Sequence, residues 1–279
     1  MSGGARDFLR THNVLPKKSF GQNFLTDATV TESIAEITVK GEAKARVTEL
    51  GAGTGELTSA LLARGATVLA IERDRDLMPL LEKRFEQEIA AGRLRVVEGD
   101  AKTAPWVEEG DGGVPRILVG NLPYQITGPL LERATHEVAQ FSRVVFMVQE
   151  EVADRLRAKP STKAYGALSV FAQAAFVVEK VRRVGQSSFF PPPRVGSAVV
   201  RLTPRVPPIE ETDALRAVVH GAFGERRKTL RNAWSRTLGE HAAAVAEAAG
   251  VSLDARGETL GPEEFARVAD AWSRLRSPP

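Results

Sequence analysis

The sequence of 279 residues contains no cysteine. This absence excludes disulfide bonds, cysteine-ligated zinc and a thiolate nucleophile. Histidine is also scarce, and the residues of this type do not stand at the spacing of metal ligands: His12, His136, His220 and His241. We therefore predict no metal site, and any catalysis must use oxygen groups, amides, the backbone and aromatic side chains.

Long apolar runs are absent as well. Runs such as residues 144–148 are far shorter than the ~20 residues that a membrane-spanning helix needs. The start of the chain lacks the apolar core of a signal peptide. The apolar content of 43% and the charged content of 26% are those of an ordinary globular chain. We therefore expect a cytoplasmic protein with no membrane partner.

Positive charge is concentrated in two stretches, although the net charge is only +3. In residues 221–236, Glu225 alone opposes the basic residues Arg226, Arg227, Lys228, Arg231 and Arg236. Near the start, Asp7 alone opposes Arg6, Arg10, Lys17 and Lys18. Clustered Lys and Arg replace the counterions on phosphates, which favours a polyanion partner. Solvated helix faces would explain either stretch taken alone.

The middle of the chain alternates short apolar segments with amphipathic ones. This alternation predicts an α/β fold with a mostly parallel sheet that is covered on both faces. The predicted strands are residues 46–50, 67–72, 94–99, 116–119, 143–148, 176–184 and 198–202. The predicted helices between them are residues 56–64, 75–90, 129–140 and 151–157.

A proline-rich stretch, TPRVPPIEETDA at residues 203–214, interrupts both helix and strand. Beyond it the strand pattern disappears and helical patterns remain, with Gly250 at a helix C-cap and Pro262 in a first helical turn. We therefore predict two domains, residues 1–205 with the sheet and the basic N-terminal segment, and residues 206–279 with helices alone.

A glycine-rich turn follows the first strand of the sheet in VTELGAGTGELTSAL, residues 47–61. Such a turn brings backbone close to a ligand at the helix N-terminus. The dinucleotide fingerprint would require a glycine where Glu56 stands, which disfavours a nicotinamide-dependent dehydrogenase. The glycines are instead Gly51, Gly53 and Gly55, and they are preceded by Glu49.

Acids end the first three predicted strands: Glu49, Glu72 and Asp100. Glu72 lies 21 residues after Gly51, where a carboxylate can accept hydrogen bonds from ribose hydroxyls. Asp100 could accept a hydrogen bond from an adenine amino group. An acid that merely caps the following helix would explain any one of the three. Together with the glycine turn, the three acids resemble those of methyltransferases that use S-adenosyl-L-methionine (SAM).

The fourth strand ends in VGNLPYQIT, residues 119–127. The Asn121 side chain and the backbone carbonyl of Leu122 or Pro123 can accept both N–H groups of an adenine amine and turn its lone pair toward a methyl donor. Pro123 makes the backbone rigid, and Tyr124 offers a ring face to a base that has left its stack. An Asx–Pro turn that closes a buried strand would explain the Asn and the Pro but not the Tyr.

A second aromatic could cover the other face of that base. Phe189 and Phe190 stand in SSFFPPPRVGSAVV, on a loop stiffened by prolines. A phenylalanine before proline can equally well serve as packing for the core.

The motifs together resemble the ribosomal RNA adenine dimethyltransferases of the small-subunit type. They are KKSFGQNFL, ELGAGTG, GDA, GNLPY, MVQEEVADRL, STKAYGALSV, FFPPPRV with SAVVRL, and RRKTLRN. The resemblance runs essentially from end to end. It implies a Rossmann-like SAM-dependent catalytic domain and a small helical C-terminal domain that binds rRNA.

The substrate that this resemblance implies is a pair of adjacent adenosines in the 3′-terminal hairpin loop of 16S rRNA. Each adenosine would receive two methyl groups within a partly assembled pre-30S subunit, which implies a role in small-subunit biogenesis. The enzyme is expected to be a monomer. Ala52 departs from the proline that is frequent at that position in the family, and we expect no effect because the ligand contact there is made by backbone.

Site residues follow by position. The cofactor contacts implied are Asn23, Leu25, Glu49, Gly51, Gly53, Glu72, Asp100, Ala101 and Asn121. The residues implied at the target base are Asn121, Leu122, Pro123, Tyr124 and Phe189. The RNA-binding residues are predicted to be Lys17, Lys18, Arg227, Lys228 and Arg231, the last three on one side of a helix.

Three other interpretations are open. The first is the related methyltransferase type that modifies large-subunit rRNA and confers antibiotic resistance. The motifs STKAYGALSV and RRKTLRN favour the small-subunit type instead. The second is a non-catalytic RNA-binding assembly factor, against which the intact NLPY and the acids speak. The third is a NAD-dependent dehydrogenase, which is disfavoured because this sequence shows no acid or base suited to hydride transfer.

Overall fold

A computed structural model describes residues 4–42, 44–108, 116–225 and 227–276. The chain forms two compact units. The first consists of Met1–Ala153 and Glu179–Thr203, and the second of Asp154–Val178 and Pro204–Pro279.

A seven-stranded sheet with strand order β4-β3-β2-β5-β6-β9-β7 is the main feature of the fold, and a two-stranded sheet pairs β1 with β8. The strands are β1 Phe24–Leu25, β2 Arg46–Leu50, β3 Thr67–Glu72, β4 Leu94–Glu98, β5 Arg116–Asn121, β6 Phe141–Gln149, β7 Phe176–Val184, β8 Phe189–Phe190 and β9 Ser197–Pro204. The strands β4, β3, β2, β5 and β6 are parallel, and β9 is antiparallel to β6.

The α-helices follow in chain order, and short 3-10 turns lie between some of them. They are α1 Ala5–Thr11, α2 Ala28–Val39, α3 Glu56–Ala63, α4 Met78–Arg84, α5 Glu86–Ala90, α6 Thr127–His136, α7 Glu150–Leu156, α8 Ala167–Ala175, α9 Asp213–Gly224, α10 Leu230–Ala233, α11 Ala242–Ala249 and α12 Pro262–Arg276.

The predicted mostly parallel α/β sheet is confirmed. The central strands β2, β3 and β5 are buried along almost their whole length, as expected of a sheet that is covered on both faces. The helix that we predicted over residues 75–90 is divided at Phe85 into α4 and α5. Phe85 is buried at this break, where its ring packs beside Gly55. Three helices, α1, α2 and α8, were not predicted.

In the second unit, the predicted helical character is seen in α9 to α12. Gly250 ends α11 with a φ of 67°, in the left-handed conformation that glycine adopts without strain. This unit also contains residues 154–178, which we had assigned to the first domain. The physical reason is burial: Tyr165 and Val170 belong to the same apolar cluster as the C-terminal helices, and the Tyr165 hydroxyl donates to the Leu260 carbonyl at 2.8 Å.

Candidate functional site

A cavity in the first unit lies at the carboxyl ends of β2, β3 and β5, which is where α/β sheets bind ligands. It holds about 1210 Å³ of space, part of it open to solvent. Most of the site residues predicted from the sequence line this one cavity: Asn23, Leu25, Glu49, Gly51, Gly53, Glu72, Asp100, Ala101, Asn121, Leu122 and Pro123. Segments far apart in the sequence therefore meet at one edge of the sheet.

The glycine turn between β2 and α3 has three residues with positive φ: 78° at Gly51, 57° at Gly53 and 84° at Gly55. A Cβ on Gly51 would meet no protein atom within 4 Å, so backbone there faces open space of the cavity. A Cβ on Gly55 would approach the Phe85 ring to 2.5 Å, so this glycine serves packing. The turn therefore leaves room for a ligand at Gly51 and fits a nucleoside held by backbone.

Glu72 ends β3 and is only 6% exposed. Its two carboxylate oxygens accept the backbone N–H groups of Gly53 and Asp74, each at 2.8 Å. Burial raises the pKa of Glu72, and these two hydrogen bonds oppose that rise. Each carboxylate oxygen retains a further acceptor site, which can receive a ligand hydroxyl.

Glu49, at the carboxyl end of β2, is almost completely buried and accepts the Thr58 hydroxyl at 2.6 Å. Burial raises its pKa from 4.5 to about 8, and the nearby charge of Glu72 adds to the rise. The carboxyl group is therefore largely protonated at neutral pH in the ligand-free protein.

The raised pKa of Glu49 predicts a dependence of stability on pH. The native state binds the proton more tightly than the unfolded chain, so this stabilisation is full below pH 4.5 and is lost as pH rises through about 8. We expect urea unfolding of the ligand-free protein to show that the free energy of unfolding falls less steeply from pH 6 to pH 8 in a Glu49→Gln variant than in wild type. The difference between the two slopes is expected to reach at most about 1.4 kcal/mol per pH unit. Parallel pH profiles of the two proteins would contradict this account.

The Asn121 side chain, at the end of β5, has a defined orientation. Its Nδ2 donates to the backbone carbonyl of Asn23 at 3.0 Å, so its Oδ1 is the end left to accept a hydrogen bond from a ligand. The Pro123 carbonyl already accepts from the Ile126 N–H and the Thr127 hydroxyl, each at 3.1 Å. This favours the carbonyl of Leu122 over that of Pro123 as the second acceptor.

The two aromatic positions differ in surroundings. Tyr124 begins a 3-10 turn, and its hydroxyl makes a 2.7 Å hydrogen bond with the buried Ser197 hydroxyl. Phe189 is 2% exposed and packs in the core, where β8 pairs it with Leu25. Phe190 is partly exposed, and the Arg6 guanidinium lies 5.0 Å from its ring. Of the two phenylalanines, Phe190 is the more accessible to a base.

The basic residues lie in different settings. Lys17 pairs with Asp74 at 2.5 Å and with Asp76 at 2.7 Å, whereas Lys18 is exposed. The predicted helical face at Arg227, Lys228 and Arg231 is not formed, because α10 begins only at Leu230. Thr229 is extended and makes a β-bridge to Arg256.

All three of these C-terminal cations are exposed. Lys228 pairs with Glu225 across a short contact, and Arg231 pairs with Asp254 at 3.1 Å. Arg226, in the same basic stretch, lies outside the described residues.

The described ranges contain neither a metal-binding cluster nor a helix that could span a membrane. Among these residues, no group of His, Asp or Glu side chains is arranged to hold a metal ion. Within the same part of the chain, no helix is both long enough and apolar enough to cross a bilayer.

Three contacts were not predicted from the sequence. They are the ion pair of Asp74 with Lys17, the hydrogen bond from Asn121 to the Asn23 carbonyl, and the hydrogen bond between Ser197 and Tyr124. The only local signal was the second acid of ERD at residues 72–74, which follows the ribose-binding candidate by two positions.

A parallel sheet with a glycine turn and acids at its strand ends, beside an Asn-Leu-Pro-Tyr sequence, defines a Rossmann-like methyltransferase. The family model described as "Ribosomal RNA adenine dimethylase" matches residues 14–273. The chain belongs to this family.

Relatives with curated names agree. The chain is 44% identical to the ribosomal RNA small subunit methyltransferase A of Myxococcus xanthus, over 97% of this chain and 95% of that protein. It is 42% identical to the protein of the same name from Phenylobacterium zucineum, over 98% and 94% of the two chains.

Solved structures show the same fold. A dimethyladenosine transferase from Plasmodium falciparum has a TM-score of 0.77 at 25% identity, covering 88% of this chain and 95% of that one. The 23S rRNA methyltransferase ErmE has a TM-score of 0.67 at 27% identity, covering 90% and 100%.

Proposed function

We propose that this protein transfers methyl groups from SAM to the exocyclic amines of two adjacent adenosines in the 3′-terminal hairpin loop of 16S rRNA, giving dimethyladenosines. The observation that supports it most is the orientation of Asn121, whose Oδ1 is left as an acceptor at the cavity. We place the reaction in the cytoplasm, on a partly assembled pre-30S subunit, with the protein acting as a monomer and contributing to small-subunit biogenesis.

The cofactor would be held at the edge of the sheet by groups that match its chemistry. Glu72 would accept hydrogen bonds from the ribose hydroxyls, and Asp100 would accept one from the adenine amine. The backbone at Gly51 would lie against the nucleoside. SAM, when bound, supplies an electrophilic methyl group on a positively charged sulfur. Burial raises the pKa of both Glu49 and Glu72 in the ligand-free protein, and a positively charged ligand beside them would favour their charged forms.

The role of Glu72 predicts a loss of cofactor affinity. Glu72→Ala removes the acceptor for the ribose and leaves two N–H groups unpaired, at roughly 1–3 kcal/mol for each unpaired group. Calorimetry is expected to show SAM binding weakened by about tenfold or more. Glu98→Ala is the matched control, because this acid ends the neighbouring strand β4 but pairs with Arg75 instead of lining the cavity. Equal SAM affinity in the two variants would remove Glu72 from the site.

At the target base, Asn121 and the Leu122 carbonyl would accept the two N–H groups of the adenine amine. This orientation points the nitrogen lone pair toward the methyl donor. In free adenine the lone pair is delocalised into the ring, which makes the amine a poor nucleophile. Pro123 keeps the acceptors in place, and Tyr124 and one of Phe189 and Phe190 would contact the faces of the base. No strong general base is required, because the nitrogen becomes acidic once it is alkylated.

The RNA would be held by exposed cations. We assign Lys18, Arg227, Lys228 and Arg231 to phosphate contacts, which position the RNA without reading its sequence. We keep Lys17 in this set, although two carboxylates already compensate its charge.

A large-subunit target is the second candidate, since ErmE is named a 23S rRNA methyltransferase and shares the fold. The higher identity to relatives named for the small subunit favours the first. Primer extension of rRNA from a strain that lacks this gene is expected to lose the stop at the small-subunit adenosines and to regain it on complementation. A change confined to the large-subunit RNA would replace the proposal by the second candidate.

A further inference from the structure

The segment of residues 17–23 is fastened to the sheet by one buried carboxylate, that of Asp74. Its Oδ1 accepts the Lys17 ammonium at 2.5 Å, and its Oδ2 accepts the Gln22 side-chain amide at 2.8 Å. The loop between these two residues is closed by the Lys17 N–H, which donates to Gln22 Oε1 at 2.7 Å. Asp74 therefore holds both ends of the turn that the 17–23 segment makes.

Asp74 also lies between the two functional parts of the cavity. On one side, its N–H donates to Glu72, the acid that we assign to the cofactor. On the other side, the 17–23 segment ends at Asn23, whose carbonyl accepts Asn121 Nδ2 at 3.0 Å. Three hydrogen bonds and the backbone from Gln22 to Asn23 thus connect the end of β3 to the end of β5.

The carboxylate of Asp74 is suited to this task. Burial by itself raises its pKa, but the hydrogen bonds from Lys17 and Gln22 outweigh burial, and the pKa of Asp74 lies below its ordinary value. Asp74 is therefore charged at neutral pH, and both of its oxygens are engaged. A charged acceptor makes stronger hydrogen bonds than a neutral one.

We propose that Asp74 is a positioning residue for methyl transfer: it fixes the 17–23 segment so that the Asn23 carbonyl holds the Asn121 amide with its Oδ1 toward the base. An amide can rotate by half a turn, and the rotated form would present the Nδ2 donor to an amine that needs an acceptor. The Asn23 carbonyl disfavours that form, because it would then face Oδ1. This inference rests on the proposed function.

The same geometry gives Lys17 a second task, besides the phosphate contact that its sequence context predicts. Its ammonium lies between Asp74 and Asp76, and its pKa is raised chiefly by the hydrogen bonds to these two residues. We infer that Lys17 also acts on the site through Asp74, because its ammonium is held by this carboxylate.

The experiment compares four variants. Asp74→Asn keeps the shape of the side chain but removes its charge, and Lys17→Gln breaks the same pair from the more exposed side. Both are expected to lower kcat by about 10- to 100-fold at saturating SAM and RNA, because the acceptor is misplaced. Lys17→Arg retains the ion pair and is expected to restore most of kcat. Asp76→Asn is the control, because this exposed acid also pairs with Lys17, whereas the Gln22 amide donates to Asp74.

Hydrogen exchange is measured on the same proteins. Asp74→Asn and Lys17→Gln are expected to speed exchange in residues 17–23 while the melting temperature stays near that of wild type. Wild-type kcat in both variants, or an equal loss in Asp76→Asn, would overturn the proposal. So would a Lys17→Gln variant that changed only the salt dependence of RNA binding. Failure of the proposed function is a separate result, seen as no transfer by the wild type, and it leaves the exchange comparison readable.

Discussion

The Asn121→Ala variant is expected to lose methyl transfer by about 10²- to 10³-fold, the range measured when one preorganised hydrogen-bonding group is removed from an active site. In the proposed function, Asn121 contributes the acceptor that orients the adenine amine. That role places it at the base and not at the RNA backbone. RNA affinity is therefore expected to change by far less than turnover.

Single-turnover transfer and filter binding on the same preparation separate these two effects. Asn121→Asp is the informative companion, because it keeps an acceptor oxygen but cannot donate to the Asn23 carbonyl. We expect its activity to lie between those of wild type and Asn121→Ala. If Asn121→Ala turned over within a few fold of wild type, Asn121 would be structural and the base would bind elsewhere.

The second large effect concerns RNA binding. Replacement of Arg227, Lys228 and Arg231 by Ala is expected to weaken binding of rRNA or subunits and to flatten its salt dependence. The slope of log K against log salt is negative, and each lost phosphate contact is expected to make it shallower by roughly 0.7–0.9. SAM affinity is expected to stay unchanged, because the residues of the cofactor cavity all belong to the first unit.

A matched triple variant controls for net charge. Lys40, Lys83 and Arg95 are exposed residues of the first unit, and their replacement by Ala removes the same positive charge. This control is expected to keep most of the salt dependence. An unchanged slope in the Arg227, Lys228 and Arg231 variant, together with weakened SAM binding, would mean that these residues brace the fold and that other residues hold the RNA.

Local patterns in the sequence predicted the sheet and most of the cavity. Glu72 and Asn121 end their strands and Glu49 is the last residue but one of β2, and the carboxyl ends of parallel strands necessarily meet at one edge. The glycine turn was readable for a similar reason, since a positive φ at Gly51 leaves a local mark in the sequence.

Contacts between distant residues left no such mark. Lys17 and Asp74 are 57 positions apart, so the sequence does not indicate that they pair. The basic residues near Lys17 in the sequence predict a phosphate contact instead. Residues 154–178 pack with the C-terminal helices although no proline or glycine marks a boundary at residue 154. Phe189 and Phe190 are neighbours of one type, and only the pairing of β8 with β1 decides which is buried.

The central claim is tested most directly by tritium transfer from labelled SAM to small subunits that lack the modification, followed by nucleoside analysis. We expect label in N6,N6-dimethyladenosine from the 3′-terminal hairpin of 16S rRNA, and no transfer to subunits that already carry the methyl groups. Label in large-subunit RNA, label in any other nucleoside, or no label in unmodified small subunits would contradict it.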